Sequence, residues 1–242
     1  MVTVERRDPG GSFRPITSVT GNSFSDTGAD IGGLIEGTTY DYQVSATVVN
    51  GFENSIEQPV NSTPSAIASA TTLAFSTAFT GTLTTDQPNG EGICLVQRLS
   101  SSLLAPNLTG VQVRITLRGS TAGSLTLDRV FISRPDPTIG ADLYDAGPDL
   151  TDLAPGAVTT IAAGGTATLG PVNYAFDSSQ DLLVAFDISS TANEGNMRFG
   201  PAPGAEQFAQ VSTVEAGVQN RSPGYQGPRP NTVFLIEKIE VL

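Results

Sequence analysis

The chain has 242 residues, with 26 Gly, 16 Pro, no Trp and a hydrophobic fraction of 38 %, lean for an α/β enzyme and suited to short strands joined by tight turns. Its 24 acidic against 12 basic residues give a formal net charge of −12 at pH 7, a field that repels phosphate backbones and anionic headgroups and disfavours nucleic-acid partners. Histidine is absent, which removes Ser-His-Asp and Cys-His catalysis and imidazole metal sites, and the lone Cys94 reads as a buried structural thiol. No apolar run is long enough for a membrane span, so no membrane insertion is expected. Eleven Arg stand against the single Lys238, a skew that hints at a bacterial or phage source.

In chain order, Val2, Val4 and Arg6 alternate with Thr3, Glu5 and Arg7, which predicts a strand over Val2–Arg7. Asp8-Pro9-Gly10-Gly11 predicts a hairpin turn, because Pro fixes φ and Gly supplies positive φ. Phe13–Val19 is the expected return strand. Tyr40, Tyr42, Val44 and Ala46 share one face of a further strand, Asn50-Gly51 signals a second hairpin, and Ser55–Val60 follows it.

The stretch Leu34–Ala46, Leu-Ile-Glu-Gly-Thr-Thr-Tyr-Asp-Tyr-Gln-Val-Ser-Ala, resembles the E–F corner and F strand of a fibronectin type III module. The resemblance implies that Leu34 packs in a core and that the Tyr40 hydroxyl bonds the backbone just upstream. On that pattern Val2–Arg7 is strand C, with nothing before it to serve as A and B. Residues 1–60 are thus expected to be a partial fibronectin-like sandwich, cut from a longer polypeptide or completed by a neighbouring chain in an assembly or surface protein.

Residues 61–71, opening on Asn-Ser-Thr-Pro-Ser, are the expected linker. Beyond it the strand candidates are Thr72–Phe79, Gly92–Leu99, Val111–Leu117, Leu125–Ile132, Ala167–Tyr174, Leu182–Ile188, Phe208–Val214 and Thr232–Val241. A break in alternation at Asp128-Arg129 suggests a β-bulge, and the continuous Leu182–Phe186 run suggests a central strand covered on both faces. The C-terminal Ile236, Ile239 and Val241 suggest a last strand inside its sheet. About eight to ten strands with Gly/Pro loops predict an all-β jelly-roll β-sandwich over 72–242. The runs Gly110–Arg118, Leu125–Ile132, Asp181–Asp187 and Ile236–Val241 resemble modules of phage and gene-transfer-agent tail-tip, fibre and spike proteins. That resemblance rests on strand texture. It implies attachment to a virion and recognition of a cell surface.

Two loops carry candidate sites. Pro135–Asp152 contains five aspartates, of which Asp142, Asp145 and Asp149 could supply calcium with oxygens, although the spacing is not that of an EF-hand. Asp is equally a favoured turn residue. The Gly200–Asn231 stretch is long for a connection, and within it Arg221, Tyr225, Gln226 and Arg229 suit sugar recognition, with Tyr144 as a further ring. The two Arg would suit an acidic polysaccharide. The alternative is a loop lying over the sheet, with Tyr225 packed and the Arg paired to carboxylates. Asp177, Asp181 and Asp187 could in principle serve a glycosidase, but each stands at a strand end where turns use Asp anyway.

The expected function is a non-enzymatic virion or extracellular protein that attaches to a host surface through a polysaccharide and contacts other virion proteins, with homo-oligomers common in such assemblies. The alternatives are an accessory carbohydrate-binding module of a secreted polysaccharide-degrading enzyme and a purely structural virion component.

Overall fold

A computed structural model describes residues 1–21, 23–28, 33–50, 58–138, 141–211 and 213–242, with the backbone alone at 48–50 and 58–60. The chain is all β and divides into two compact units, Met1–Phe75 and Ser76–Leu242. The first unit is an antiparallel sheet of β1 (Val2–Arg7), β2 (Arg14–Val19), β3 (Thr39–Asn50), β4 (Gln58–Asn61) and β5 (Ala68–Thr71). Its order is β2-β1-β3-β4, and β5 pairs with the start of β3.

The hairpin forms as its residues require: Gly11 N–H donates to Asp8 C=O at 2.9 Å and Gly10 has φ +72°. Tyr40 is buried, and its hydroxyl accepts the Ile35 N–H at 2.8 Å, five residues upstream. Arg6, also buried, lies over the Tyr40 ring and pairs with Asp8 and Asp26, each at 3.0 Å. Two expectations change. Ala68–Thr71, placed in the linker, is a strand, because Ser62 and Ser65 dock on β3 and lead the chain back along it. Leu34 lines an open apolar groove instead of a closed core, since Val2, Val4, Tyr42 and Val44 carry no second sheet among the described residues. The Asn50-Gly51 turn and the start of Ser55–Val60 lie outside the described residues.

The second unit contains β6 (Ser76–Thr80), β7 (Thr85–Gln87), β8 (Ile93–Leu99), β9 (Thr109–Arg118), β10 (Leu125–Ser133), β11 (Thr151–Asp152), β12 (Thr159–Ile161), β13 (Thr166–Asp177), β14 (Leu182–Ile188), β15 (Met197–Val211), β16 (Gln226–Phe234) and β17 (Ile236–Val241). One sheet runs β11-β10-β14-β8-β15-β16, with β12 on β10 and β7 on β15; the other runs β13-β9-β17-β6. Leu95, Leu99, Ile132, Val184 and Phe186 of the first face Val113, Ile115, Leu117, Ile239 and Val241 of the second in one apolar core, the arrangement of a β-sandwich. β14 is buried along its whole length, β17 lies between β9 and β6, and the β10–β14 register shifts at Leu127/Arg129, all as the sequence pattern indicated.

The C-terminal half of the expected site loop is different. β15 pairs as far as Val211 and β16 begins at Gln226, so most of the Gly200–Asn231 stretch is sheet. Of the expected strand Phe208–Val214, Phe208–Val211 is the end of a longer one, and Thr213 and Val214 lie beyond it. Thr232–Val241 is two strands, broken at Leu235 (φ +61°), where the chain passes from one sheet to the other.

β15 and β16 do not pair evenly. Pro201 pairs Thr232 and Glu206 pairs Pro230, so residues 202–205 stand against Asn231 alone. The bulge needs positive φ at Gly204 (+101°) and Asn231 (+56°), which Gly and Asn tolerate best. Fully buried Gln97 spans the gap. Its Nε2 donates to Glu206 C=O (2.9 Å), Thr232 C=O (3.1 Å) and Arg98 C=O (3.3 Å), and its Oε1 accepts Phe234 N–H (2.9 Å). Gln97→Leu strands these groups in an apolar core, at about 1–3 kcal/mol for each one left unsatisfied. The variant is expected to lose roughly 3 kcal/mol or more, read as a fall in melting temperature of about 2–4 °C per kcal/mol.

Candidate functional site

The outer face of the larger sheet divides into a covered part and an open part. Cys94, Val96, Leu183, Ala185 and Phe208 make an apolar patch on β8, β14 and β15. An apolar sheet face must be shielded from water, and two segments, 141–150 and 213–225, do so. Tyr144 and Tyr225 stack on one another (4.5 Å between centroids, 26° between planes), and Tyr144 also packs against Phe208 at 5.6 Å.

Tyr144, Arg221 and Tyr225 are therefore brought together, but as this cover. All three are buried. Arg221 is held by carbonyls: Nε donates to Glu215 C=O (3.1 Å), Nη2 to Ala216 C=O (3.0 Å) and Nη1 to Tyr144 C=O. Burial pulls its guanidinium down and pushes the Tyr144 phenol up to about 12, with the Asp142 carboxylate adding to the latter. Gln226 and Arg229 are exposed. Arg229 lies over the Phe199 ring at 4.4 Å and donates to Gln87 at 3.1 Å. The five residues do not form one ligand surface.

The three aspartates do not converge either. Asp142 accepts the Tyr144 hydroxyl (2.9 Å), Asp145 accepts Arg221 N–H (2.9 Å) and Asp142 N–H (3.0 Å), and Asp149 accepts Arg134 N–H (3.0 Å) and the Tyr174 hydroxyl (2.9 Å). Their oxygens are taken up by backbone N–H groups and tyrosine hydroxyls, and among the described residues no three acidic or thiol side chains come together as ion ligands. The calcium expectation is corrected on that ground. Asp177, Asp181 and Asp187 are likewise apart in role: Asp177 accepts Ser179 N–H, Asp181 holds Arg98, and Asp187 accepts the Glu215 and Ala216 N–H groups.

The open part is a groove of about 390 Å³, within the usual range for small-ligand sites. Its floor is the cross-strand row Arg98 (β8), Glu206 (β15) and Pro230 (β16). Its walls include Ser100, Leu143, Asp181 and Asn231. Arg98 is fixed by Asp181 through Nε (3.0 Å) and Nη2 (2.8 Å), and Nη1 has no partner among the described residues. Asn231 Oδ1 accepts Gly204 N–H at 3.1 Å, and its Nδ2 has no partner among the described residues. The half-buried Glu206 carboxylate has no partner among the described residues. Sequence reasoning singled out Asp181 alone of this set. Arg98 could have been noticed as the one cation in the apolar run Ile93–Leu99, whereas Glu206 carries no local signal.

In the first unit, the groove over Val2, Val4, Phe24, Leu34, Tyr42 and Val44 is larger, about 800 Å³, and mainly apolar. No protein-family model matches the sequence, and no curated protein is similar to it. No helix among the described residues is long and apolar enough to cross a membrane.

Beneath the aromatic cover, burial pushes the Cys94 thiol up to about 12 and raises the Asp187 carboxyl; Asp187 Oδ2 is buried without a hydrogen-bond partner among the described residues. A carboxyl raised by folding contributes fully below its ordinary value of 3.8, and that contribution is lost as pH climbs through the folded value. Asp187→Asn keeps the Oδ1 acceptor and removes the charge. It is expected to melt above the parent at about pH 7, with the difference shrinking towards about pH 4, in paired thermal melts.

Proposed function

We propose that this chain is a non-catalytic attachment protein of a phage-like virion or comparable extracellular assembly, and that its larger unit binds a cell-surface glycan in the groove between Arg98, Glu206 and Asn231. The observation that carries the reading is the row of unspent polar groups on a sheet floor beside the hydrophobic surfaces of Leu143 and Pro230. Sugars present hydroxyls that need both donors and acceptors, and ring faces that pack on apolar side chains. A rigid sheet holds such groups without ordering a loop on binding, and repeated copies in a particle would multiply a modest affinity per site.

The test is binding of the labelled chain to candidate bacterial cells with and without their surface polysaccharide. Leu143→Arg places a long charged side chain on the exposed rim of the groove while leaving the core intact. Binding that depends on the polysaccharide and falls about tenfold or more in Leu143→Arg supports the reading. Equal binding to stripped cells contradicts it.

The apolar groove of the first unit favours a second reading, in which the chain is chiefly a structural component docked on other virion proteins. Exposed apolar surface of this kind marks interaction sites. Val44→Asp, on its 40 % exposed floor, is then expected to abolish incorporation into the parent particle while the isolated chain stays folded. Unchanged incorporation removes this reading.

A further inference from the structure

The charges of the groove specify the class of glycan, an inference that rests on the binding reading above. Of the two Arg that pointed to an acidic polysaccharide, Arg221 is enclosed by carbonyls and Arg229 lies over Phe199. The cation that does line the groove, Arg98, is matched by Asp181 at 2.8 Å. Glu206 then stands as a surplus carboxylate directly across from it, so the groove carries one net negative charge. The whole chain adds a formal −12. An anionic sugar would meet repulsion from both.

A free carboxylate held on a sheet does have a good partner among neutral sugars. Its two oxygens accept from two adjacent hydroxyls at once, and charge-assisted bonds of this kind are the strong ones. Arg98 Nη1 and Asn231 Nδ2 would donate to the same hydroxyl oxygens or the ring oxygen, and Leu143 and Pro230 offer the apolar contact. We infer that the groove takes a neutral saccharide with a vicinal diol, and that Glu206 is the residue that reads the diol.

The bulge supplies a reason for Glu206 to face this way. Glu206 is the first residue paired again after the gap at 202–205, and its own carbonyl is gripped by Gln97 on the opposite face of the sheet. The main chain under Glu206 is thus fixed, and its carboxylate, with no side-chain partner among the described residues, is left for hydroxyls to bind.

The experiment is retention of the full chain on dextran and mannan (neutral), polygalacturonate (anionic) and chitosan (cationic), each at low and high salt. Retention on a neutral polymer, insensitive to salt, is expected. Glu206→Gln should weaken it about ten- to hundredfold, the size of a lost charge-assisted pair. Asn231→Asp, which keeps the Oδ1 acceptor and the positive φ but removes the amide donors, should weaken it as well. Unchanged far-UV circular dichroism and melting temperature exclude misfolding for both variants. Salt-sensitive retention on polygalacturonate or chitosan in preference to the neutral polymers overturns the inference and leaves the glycan reading standing. So does neutral retention that Glu206→Gln does not weaken. Retention on none of the four overturns both.

Discussion

The side-chain amide of Gln97 is the contact on which the larger unit's open face depends. A sheet ladder normally satisfies its own carbonyls and amides, and a bulge of several residues interrupts that. Here residues 202–205 have only Asn231 opposite them, and Glu206 C=O, Thr232 C=O and Phe234 N–H would be stranded in the core without a substitute partner. Gln97 supplies one group for each, from the neighbouring strand. The bulge is thereby stable enough to exist, and the groove lined by Gly204, Ala205, Glu206 and Asn231 is its outer surface.

The same sheet face shows two solutions to one problem. Where β8, β14 and β15 expose Cys94, Val96, Leu183 and Phe208, a stacked tyrosine pair and a carbonyl-caged arginine seal them. Where the face carries Arg98 and Glu206, water or a polar ligand is the natural partner, and among the described residues no cover forms. Arginine and tyrosine in a Gly/Pro-rich loop are ambiguous between ligand contact and packing, and here the apolar residues beneath them decide in favour of packing.

Much of the scaffold was legible because its signals are local. The Asp8–Gly11 turn, the continuous apolar run of β14 and the bulge after Leu127 follow from residues close together in sequence, and the Tyr40 hydroxyl contact is what the resemblance of Leu34–Ala46 to a fibronectin type III corner implies. The groove was not legible because its parts are far apart: Gln97 and Glu206 are separated by 109 positions and meet only through strand pairing. The long β15 was hidden by Pro201, Pro203 and Gly204, which signal a loop locally and form a bulge within a strand instead. The strand at Ala68–Thr71 was missed because its small, alternating side chains resemble linker composition. The Asp loop misled for a related reason, since Asp serves turns and ions alike and only the N–H groups it caps distinguish them.

The claim that binding resides in the bulge-built groove is tested most directly by an amide NMR titration of the full chain with neutral mannose and glucose oligosaccharides. The account predicts chemical-shift changes concentrated at Arg98, Ser100, Gly204, Glu206 and Asn231, saturating together. Shifts confined to the aromatic cover around Tyr144 and Tyr225 or to the first unit, or no shifts with any oligosaccharide, would contradict it.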